Sequence, residues 1–131
     1  MSSLSEIVAP AGSALGFLTA LCDASFDSVC LCDTDSKIVY TNPAFSRLTG
    51  YPLEAVRGKN PKILQGAGTD SRVLERLTTC LKDGDNSFEG KAVNYKLDGT
   101  AFIMHWRVVP VRVDGAIKFW LAIQREAGST A

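Results

Sequence analysis

Two Asp-Gly pairs, each set between strand-like runs, constrain the fold of this chain more than any other feature. The pairs at 98–99 and 114–115 separate β-rich runs at about 87–97, 101–113 and 116–126. Asp-Gly is strongly favoured in the tight turns that join antiparallel strands. The sequence therefore predicts a three-stranded antiparallel meander.

The first two-thirds of the chain carry helix and strand signals in a definite order. Apolar residues recur with helical spacing from Ser13, and two strands are predicted at 28–33 and 37–41 around a polar turn. Short helical pieces are expected over 42–57. A longer helix with one apolar face is expected over 70–84.

The ends of these helices are marked by capping residues. Asn42 suits an N-cap with Pro43 at the first helical position, and Gly50 suits the end of that helix. Asp70 is expected to cap the longer helix, which Gly84 ends. Each of these signals depends on only a few neighbouring residues.

Taken together, the elements predict an α+β domain. Its sheet has five antiparallel strands with short helices on one face, and an amphipathic helix precedes the first strand. The domain is expected at 13–126, between flexible segments at 1–12 and 127–131. A chain of 131 residues has room for one such domain with a core and a small-molecule cavity.

Charge and hydropathy exclude several classes of partner. Fourteen basic residues balance fourteen acidic ones, so neither nucleic acid nor a membrane surface is an expected partner. No apolar run approaches the roughly 18 residues that a membrane span needs. A cytoplasmic location is expected. The four cysteines are expected to be free thiols, because a chain of this length without a signal peptide does not need disulfides.

Residues 58–66, Gly-Lys-Asn-Pro-Lys-Ile-Leu-Gln-Gly, carry the strongest functional signal. They resemble the signature of the light-oxygen-voltage (LOV) branch of the PAS domains, with Pro61 at the place of that family's photoreactive cysteine. The segments 41–51, 94–102 and 123–125 resemble the same family. The resemblance covers about residues 16–126 and implies the PAS fold.

The resemblance implies a flavin cofactor, with FMN as the first choice and FAD or riboflavin as alternatives. An isoalloxazine ring needs an apolar slot and amides that both donate and accept hydrogen bonds. Four amides match the family's positions, whereas Met104 falls where the family has a second strand asparagine. The cofactor-binding residues expected are Cys30, Cys32, Asn60, Lys62, Leu64, Gln65, Asn94, Phe102, Met104, Ala122 and Gln124. Small residues at 90 and 92 are expected to leave further space for the ring.

The phosphate end of the expected site departs from the family pattern. LOV domains hold the FMN phosphate with two arginines, and the matching positions here are Lys62 and Thr78. Lys62 suits either a phosphate contact or a solvated surface. Arg72 or Arg76 could contribute a second cation.

Pro61 determines which flavin chemistry the resemblance allows. Proline has no nucleophile, so the family's cysteinyl-flavin adduct is not expected. One- or two-electron flavin chemistry remains, with Gln124 as the reader of flavin protonation. Trp106, Trp120 and Tyr95 are either electron donors or core aromatics. Cys30 and Cys32 share the pocket face and are either apolar core residues or thiols near the flavin.

Several functional classes remain as alternatives to a light or redox sensor. A PAS domain can serve as a dimerisation or partner-binding module with another ligand or none, and a homodimer through the N-terminal helix and the sheet is expected. Enzyme activity is not expected, because no catalytic or nicotinamide motif is present. Neither haem nor another metal site is expected, because the only histidine, His105, is predicted to face outward. The downstream effector is not indicated.

Overall fold

A computed structural model describes residues 13–84 and 87–129. The predictions for 1–12 and 130–131 lie outside the described residues. The helices are α1 Ser13–Ala24, α2 Pro43–Thr49, α3 Leu53–Val56 and α4 Ser71–Asp83, with a short 3₁₀ helix at Pro61–Leu64. The strands are β1 Ser28–Asp33, β2 Ile38–Thr41, β3 Phe88–Tyr95, β4 Ala101–Val113 and β5 Ala116–Ser129.

The five strands form one antiparallel sheet in the order β2-β1-β5-β4-β3. This confirms the predicted α+β class and the meander of β3, β4 and β5. At the second turn Asp114 and Gly115 have φ values of 52° and 81°, the positive pair that a type I′ turn requires. The last strand extends to Ser129, beyond the predicted domain boundary at 126, because Ser129 still pairs with Phe102 of β4.

The predicted caps are confirmed at both ends of α2 and α4. Asn42 accepts a hydrogen bond from the Phe45 amide, and Gly50 ends α2 in the left-handed conformation. Asp70 accepts a hydrogen bond from the Arg72 amide at the start of α4, and Gly84 ends α4 in the left-handed conformation. Because glycine adopts this conformation without a steric penalty, the helices end where the sequence places glycine.

The two faces of the sheet have different partners. One face packs on α2, α3, the 3₁₀ helix and α4, which together enclose the main core. The opposite face carries a smaller cluster around Val29, Leu31 and Tyr40, against which Cys22 of α1 packs. The short helices therefore lie on one face, as predicted, and α1 contacts the other.

Asn42 connects α1 to the rest of the domain. Its side-chain nitrogen donates to the Cys22 and Asp27 carbonyls at 2.7 and 3.1 Å. Its side-chain oxygen accepts from the Val29 and Phe45 amides at 2.8 and 3.1 Å. Tyr40 adds a second connection, because its hydroxyl donates to Asp23 of α1.

Three further structural features concern only the described part of the chain. None of its helices combines the length and the apolar character needed to cross a membrane. Its cysteines form no disulfide with one another. Within 13–84 and 87–129, no three His, Cys, Asp or Glu side chains converge as metal ligands would.

Candidate functional site

A cavity of about 110 Å³ lies between the sheet and the 3₁₀ helix and α4. Strands β1, β4 and β5 supply its floor, and the helices supply its walls. The lining residues are Cys30, Cys32, Ser36, Asn60, Pro61, Lys62, Gln65, Leu77, Leu81, Trp106, Val108, Trp120, Ala122 and Gln124. Seven of the eleven predicted cofactor residues therefore lie together.

Gln124 is held in one orientation by a buried hydroxyl. The Ser28 Oγ donates to the Gln124 Oε1 at 2.7 Å, and both residues are at most 4% exposed. Because a carboxamide has its oxygen and nitrogen on opposite branches, this bond directs the NH₂ group away from Ser28. The cavity wall thus carries an amide of defined orientation.

The two cysteines of β1 are buried neighbours at the cavity floor. Cys30 and Cys32 alternate with the outward-facing Leu31, and both line the cavity. A hydrogen bond with Cys32, followed by burial, raises the pKa of the Cys30 thiol well above 9.0. Cys30 is therefore a neutral thiol at physiological pH.

The 3₁₀ helix presents Asn60, Pro61, Lys62 and Gln65 to the cavity. Asn60 caps this helix, with its side-chain oxygen accepting from the Lys62 amide at 2.9 Å. Pro61 at the first helical position lies where its missing N–H costs no hydrogen bond. Pro61, the residue that the sequence resemblance matches to a photoreactive cysteine, therefore lines the candidate site.

The loop after the 3₁₀ helix is fixed on the edge of the sheet by Tyr95. The Gly68 amide donates to the Tyr95 hydroxyl at 2.8 Å, and Thr69 donates to the Val93 carbonyl at 2.7 Å. A Cβ at Gly66 or Gly68 would lie within 2.8 Å of Tyr95 atoms, so a side chain at either position would displace Tyr95. Tyr95 thus has a structural role in placing the loop.

Four predicted cofactor residues lie outside the cavity lining: Leu64, Asn94, Phe102 and Met104. All four are buried. The Asn94 nitrogen donates to the Ala92 carbonyl at 3.3 Å. Leu64, Phe102 and Met104 belong to the same core cluster as several of the lining residues.

The space expected beside residue 90 is filled by the Phe88 ring, so the prediction was wrong at that position. A Cβ on Gly90 would lie 2.6 Å from the Phe88 ring, and that ring packs on Trp106 with centroids 5.1 Å apart. Phe88 and Gly90 share one face of β3. Because Gly90 has no side chain, the Phe88 ring occupies the space beside it.

A second, open groove of about 590 Å³ adjoins the cavity and shares Ser36, Asn60, Lys62 and Gln65 with it. Thr34, Thr78 and Lys82 are among its other lining residues. Thr34, Ser36 and Lys82 are not among the site residues predicted from the sequence. Lys82 could have been found from helical spacing, since it follows Thr78 by four residues on the same helix face.

The arginines considered for a phosphate contact lie elsewhere. Arg72 pairs with Asp70 at 3.1 Å on the surface. Arg76 donates to the Glu89 carbonyl at 3.4 Å and lies over the Phe88 ring. Neither residue lines the cavity or the groove, which leaves Lys62 as the predicted cation that does.

The only histidine lies on the opposite face of the sheet, as predicted. His105 Nε2 is 2.7 Å from a Glu89 carboxylate oxygen, and Arg107 donates to the other oxygen at 3.2 Å. These contacts lower the pKa of the Glu89 carboxyl, with the His105 hydrogen bond as the main cause. His105 is thus separated from the cavity by the sheet.

Comparison with known proteins gives consistent matches over this fold. Residues 27–127 match the family described as PAS domain. The chain is 34% identical to Phototropin-1A of Oryza sativa subsp. japonica over 90 residues, which are 68% of this chain and 10% of the phototropin. The chain thus spans only a tenth of that relative.

Solved structures of LOV domains also match this chain. An RNA-binding light-oxygen-voltage receptor matches with a TM-score of 0.81 and 28% identity, over 89% of this chain and 34% of that one. The LOV domain of a blue-light activated histidine kinase from Erythrobacter litoralis matches with a TM-score of 0.74 and 30% identity, over 79% and 97%. The similarity therefore extends over an entire LOV domain.

Proposed function

This chain belongs to the PAS domain family and has LOV-domain relatives, and on this basis we propose that it is a flavin-binding sensory domain that signals without a cysteinyl-flavin adduct. FMN is the proposed cofactor. The observation that carries the proposal is the placement of Pro61 and the oriented Gln124 amide on the walls of one cavity.

The side chains that line the cavity suit an isoalloxazine ring, but the cavity volume is too small for one. Amides of Asn60, Gln65 and Gln124 suit the ring's carbonyls and nitrogens. The cavity of about 110 Å³ is below the ~300 Å³ at which ligand pockets begin. Ring binding therefore requires side chains of the surrounding core to repack, and Met104, which belongs to that core, has an adaptable side chain.

A bound flavin would supply one- and two-electron redox chemistry, driven by light or by cellular reductants. Pro61 offers no thiol for adduct formation. Gln124 would adjust its amide to the protonation of the ring, and a rotation of that amide breaks its hydrogen bond to Ser28. The next residue, Arg125, pairs with Asp27 at 2.6 Å on the opposite face, which gives a route from the cavity to the outer surface.

The proposed role is binding and signalling, with no catalytic turnover and no nucleic-acid partner. The lining contributes no base and nucleophile pair within the described residues. Equal numbers of acidic and basic residues give no net attraction to RNA, so the RNA binding of one structural relative is not proposed for this chain. Light and redox state are both candidate inputs.

A second candidate function is a PAS interaction module that needs no flavin. The small cavity favours it, and so do the large apolar side chains exposed on and after α1. Phe17 is 66% exposed, Leu21 is 53% exposed and Phe26 is 99% exposed. Such a surface suits contact with a second copy or an effector.

The absorption spectrum of the purified protein, with the released cofactor identified by chromatography, tests the proposal. We expect a flavin with structured blue absorption and fluorescence that persists under illumination. Pro61→Cys is the matched variant, and we expect it to bleach reversibly in blue light because it restores the thiol. Colourless protein from flavin-replete cells would favour the interaction module. Reversible bleaching of the unmodified protein would contradict the adduct-free mechanism.

A further inference from the structure

The groove at the mouth of the cavity carries two lysines from different elements. Lys62 lies on the 3₁₀ helix and Lys82 lies in the last turn of α4, and both side chains are exposed. Ser36 lines both the cavity and the groove, so the two spaces adjoin at that residue. No carboxylate belongs to the groove lining among the described residues. The groove therefore has a local excess of positive charge in a chain of zero net charge.

The turn between β1 and β2 adds hydroxyl groups to the same groove. The Asp33 carboxylate accepts from the Asp35 and Lys37 amides at 2.9 and 3.0 Å, which fixes the turn. Ser36 adopts a left-handed φ of 60° within it. Thr34 and Ser36 thus face the groove from a turn that is held by internal hydrogen bonds.

Lys82 lies one helical turn after Thr78 and lines the same groove. Thr78 lies where the resemblance places an arginine, and its hydroxyl donates to the Leu74 carbonyl at 3.0 Å within α4. Lys82 lies four residues later on the same helix face and lines the same groove. A cation is therefore present one helical turn from the expected position.

We propose that Lys62 and Lys82, with the hydroxyls of Thr34 and Ser36, form the phosphate subsite for the terminal phosphomonoester of FMN. This inference rests on the proposed flavin function and deepens it. Two ammonium groups match the dianionic charge of a phosphomonoester, and lysine binds phosphate as a point charge without the fixed fork of arginine. The hydroxyls supply neutral donors.

Binding of riboflavin, FMN and FAD to the cofactor-free protein tests the subsite, with flavin fluorescence as the readout. FMN is expected to bind more tightly than riboflavin, which lacks the phosphate. Lys62→Gln and Lys82→Gln are each expected to weaken FMN binding about tenfold and to leave riboflavin binding unchanged. Lys91→Gln, an exposed lysine on β3 outside the groove, is the matched control and is expected to change neither affinity.

Each result distinguishes the subsite from the flavin function itself. Equal affinity for riboflavin and FMN, or FMN affinity that is unchanged in both lysine variants, would overturn the subsite while leaving flavin binding intact. FAD binding that is tighter than FMN binding and equally dependent on both lysines would overturn the monoester assignment in favour of a diphosphate. Failure to bind any of the three flavins would overturn both proposals.

Discussion

The Ser28 hydroxyl and the Gln124 amide are joined by a 2.7 Å hydrogen bond between directly paired positions of β1 and β5. Strand pairing brings the two side chains to the same face, so the contact follows from the register of the sheet. Both residues are buried, and the oxygen of Gln124 has a neutral donor as its partner. The sheet therefore determines which end of the amide is available to a ligand.

Ser28→Ala removes this donor and leaves a buried oxygen without its partner. We expect the free energy of unfolding to fall by about 1 to 3 kcal/mol, the cost of an unsatisfied buried polar group. Denaturant unfolding measures this loss, and Ser87→Ala, the same change at an exposed serine, is the control. Equal stability of the two variants would show that the Ser28 hydrogen bond contributes nothing.

Asn42→Asp separates the attachment of α1 from the integrity of the core. Aspartate keeps the oxygen that accepts from Val29 and Phe45 but loses the nitrogen that donates to the Cys22 and Asp27 carbonyls. The second carboxylate oxygen would face those two carbonyl oxygens in a buried position, so we expect amide hydrogen exchange to accelerate more in α1 than in β4 and β5.

Asn42→Ala is the companion variant because it removes all four hydrogen bonds. We expect it to lower the free energy of unfolding of the whole domain by at least about 2 kcal/mol. Uniform faster exchange in Asn42→Asp, with α1 no more affected than the sheet, would contradict a separate attachment of α1.

The sequence predicted the fold well because its strongest signals are local. The glycines at 50, 84 and 115 adopt positive φ, and Asn42 and Asp70 cap their helices through their own side chains. Each of these choices depends on a few neighbouring residues. The end of β5 was less predictable, because its last residues are ordered by pairing with β4 across the sheet.

The cavity lining was predicted from two sources: the resemblance of residues 58–66 to LOV domains, which gave Asn60, Lys62 and Gln65, and the alternation of side chains along the strands. Alternation placed Cys30 and Cys32 on one face of β1, the resemblance assigned that face and Gln124 to the pocket, and all three residues line the cavity. It could not show that Phe88 covers Gly90, because that depends on a side-chain rotamer in the packed core. Nor could it show that Lys82 reaches the same groove as Lys62, which depends on how α4 packs on the sheet.

Met104→Asn tests the proposed cofactor at the strand position where the resemblance places a second asparagine. The residue is buried on β4, paired with Ala92. An unpartnered buried amide should lower the stability of the flavin-free protein by about 1 to 3 kcal/mol, while a bound ring that accepts its hydrogen bond should bind more tightly. Titration with FMN measures the affinity. Met104→Leu, which conserves volume, should leave it unchanged, and a similar gain in Met104→Leu would exclude the hydrogen bond as the cause.

The cysteines should differ in reactivity according to burial and pKa. The pKa of Cys30 is raised well above 9.0 and the residue is buried, whereas Cys22 is half-buried and burial, followed by the charge of Asp23, raises its pKa from 9.0. Because the thiolate is the reactive species, we expect Cys22 to be alkylated first at pH 8. Cys30 should react only at higher pH or after unfolding. Timed alkylation with mass spectrometry of each site measures this order, and urea-unfolded protein supplies the reference rates. Equal rates for Cys22 and Cys30 in the folded protein would contradict it.

Glu89 should stabilise the outer face of the sheet in a pH-dependent manner. Its pKa is lowered from 4.5 by the His105 hydrogen bond and then by Arg107, so the folded state favours the carboxylate. That contribution is present above the unfolded pKa and is lost as the pH falls through the lower folded value. We expect Glu89→Gln to be less stable than the unmodified protein at pH 7, with the difference shrinking below pH 4.5. Thermal unfolding across this range measures the difference. Glu75→Gln, at an exposed position on α4, is the control, and a Glu89→Gln effect that persists unchanged at low pH would exclude the ionised carboxylate as its source.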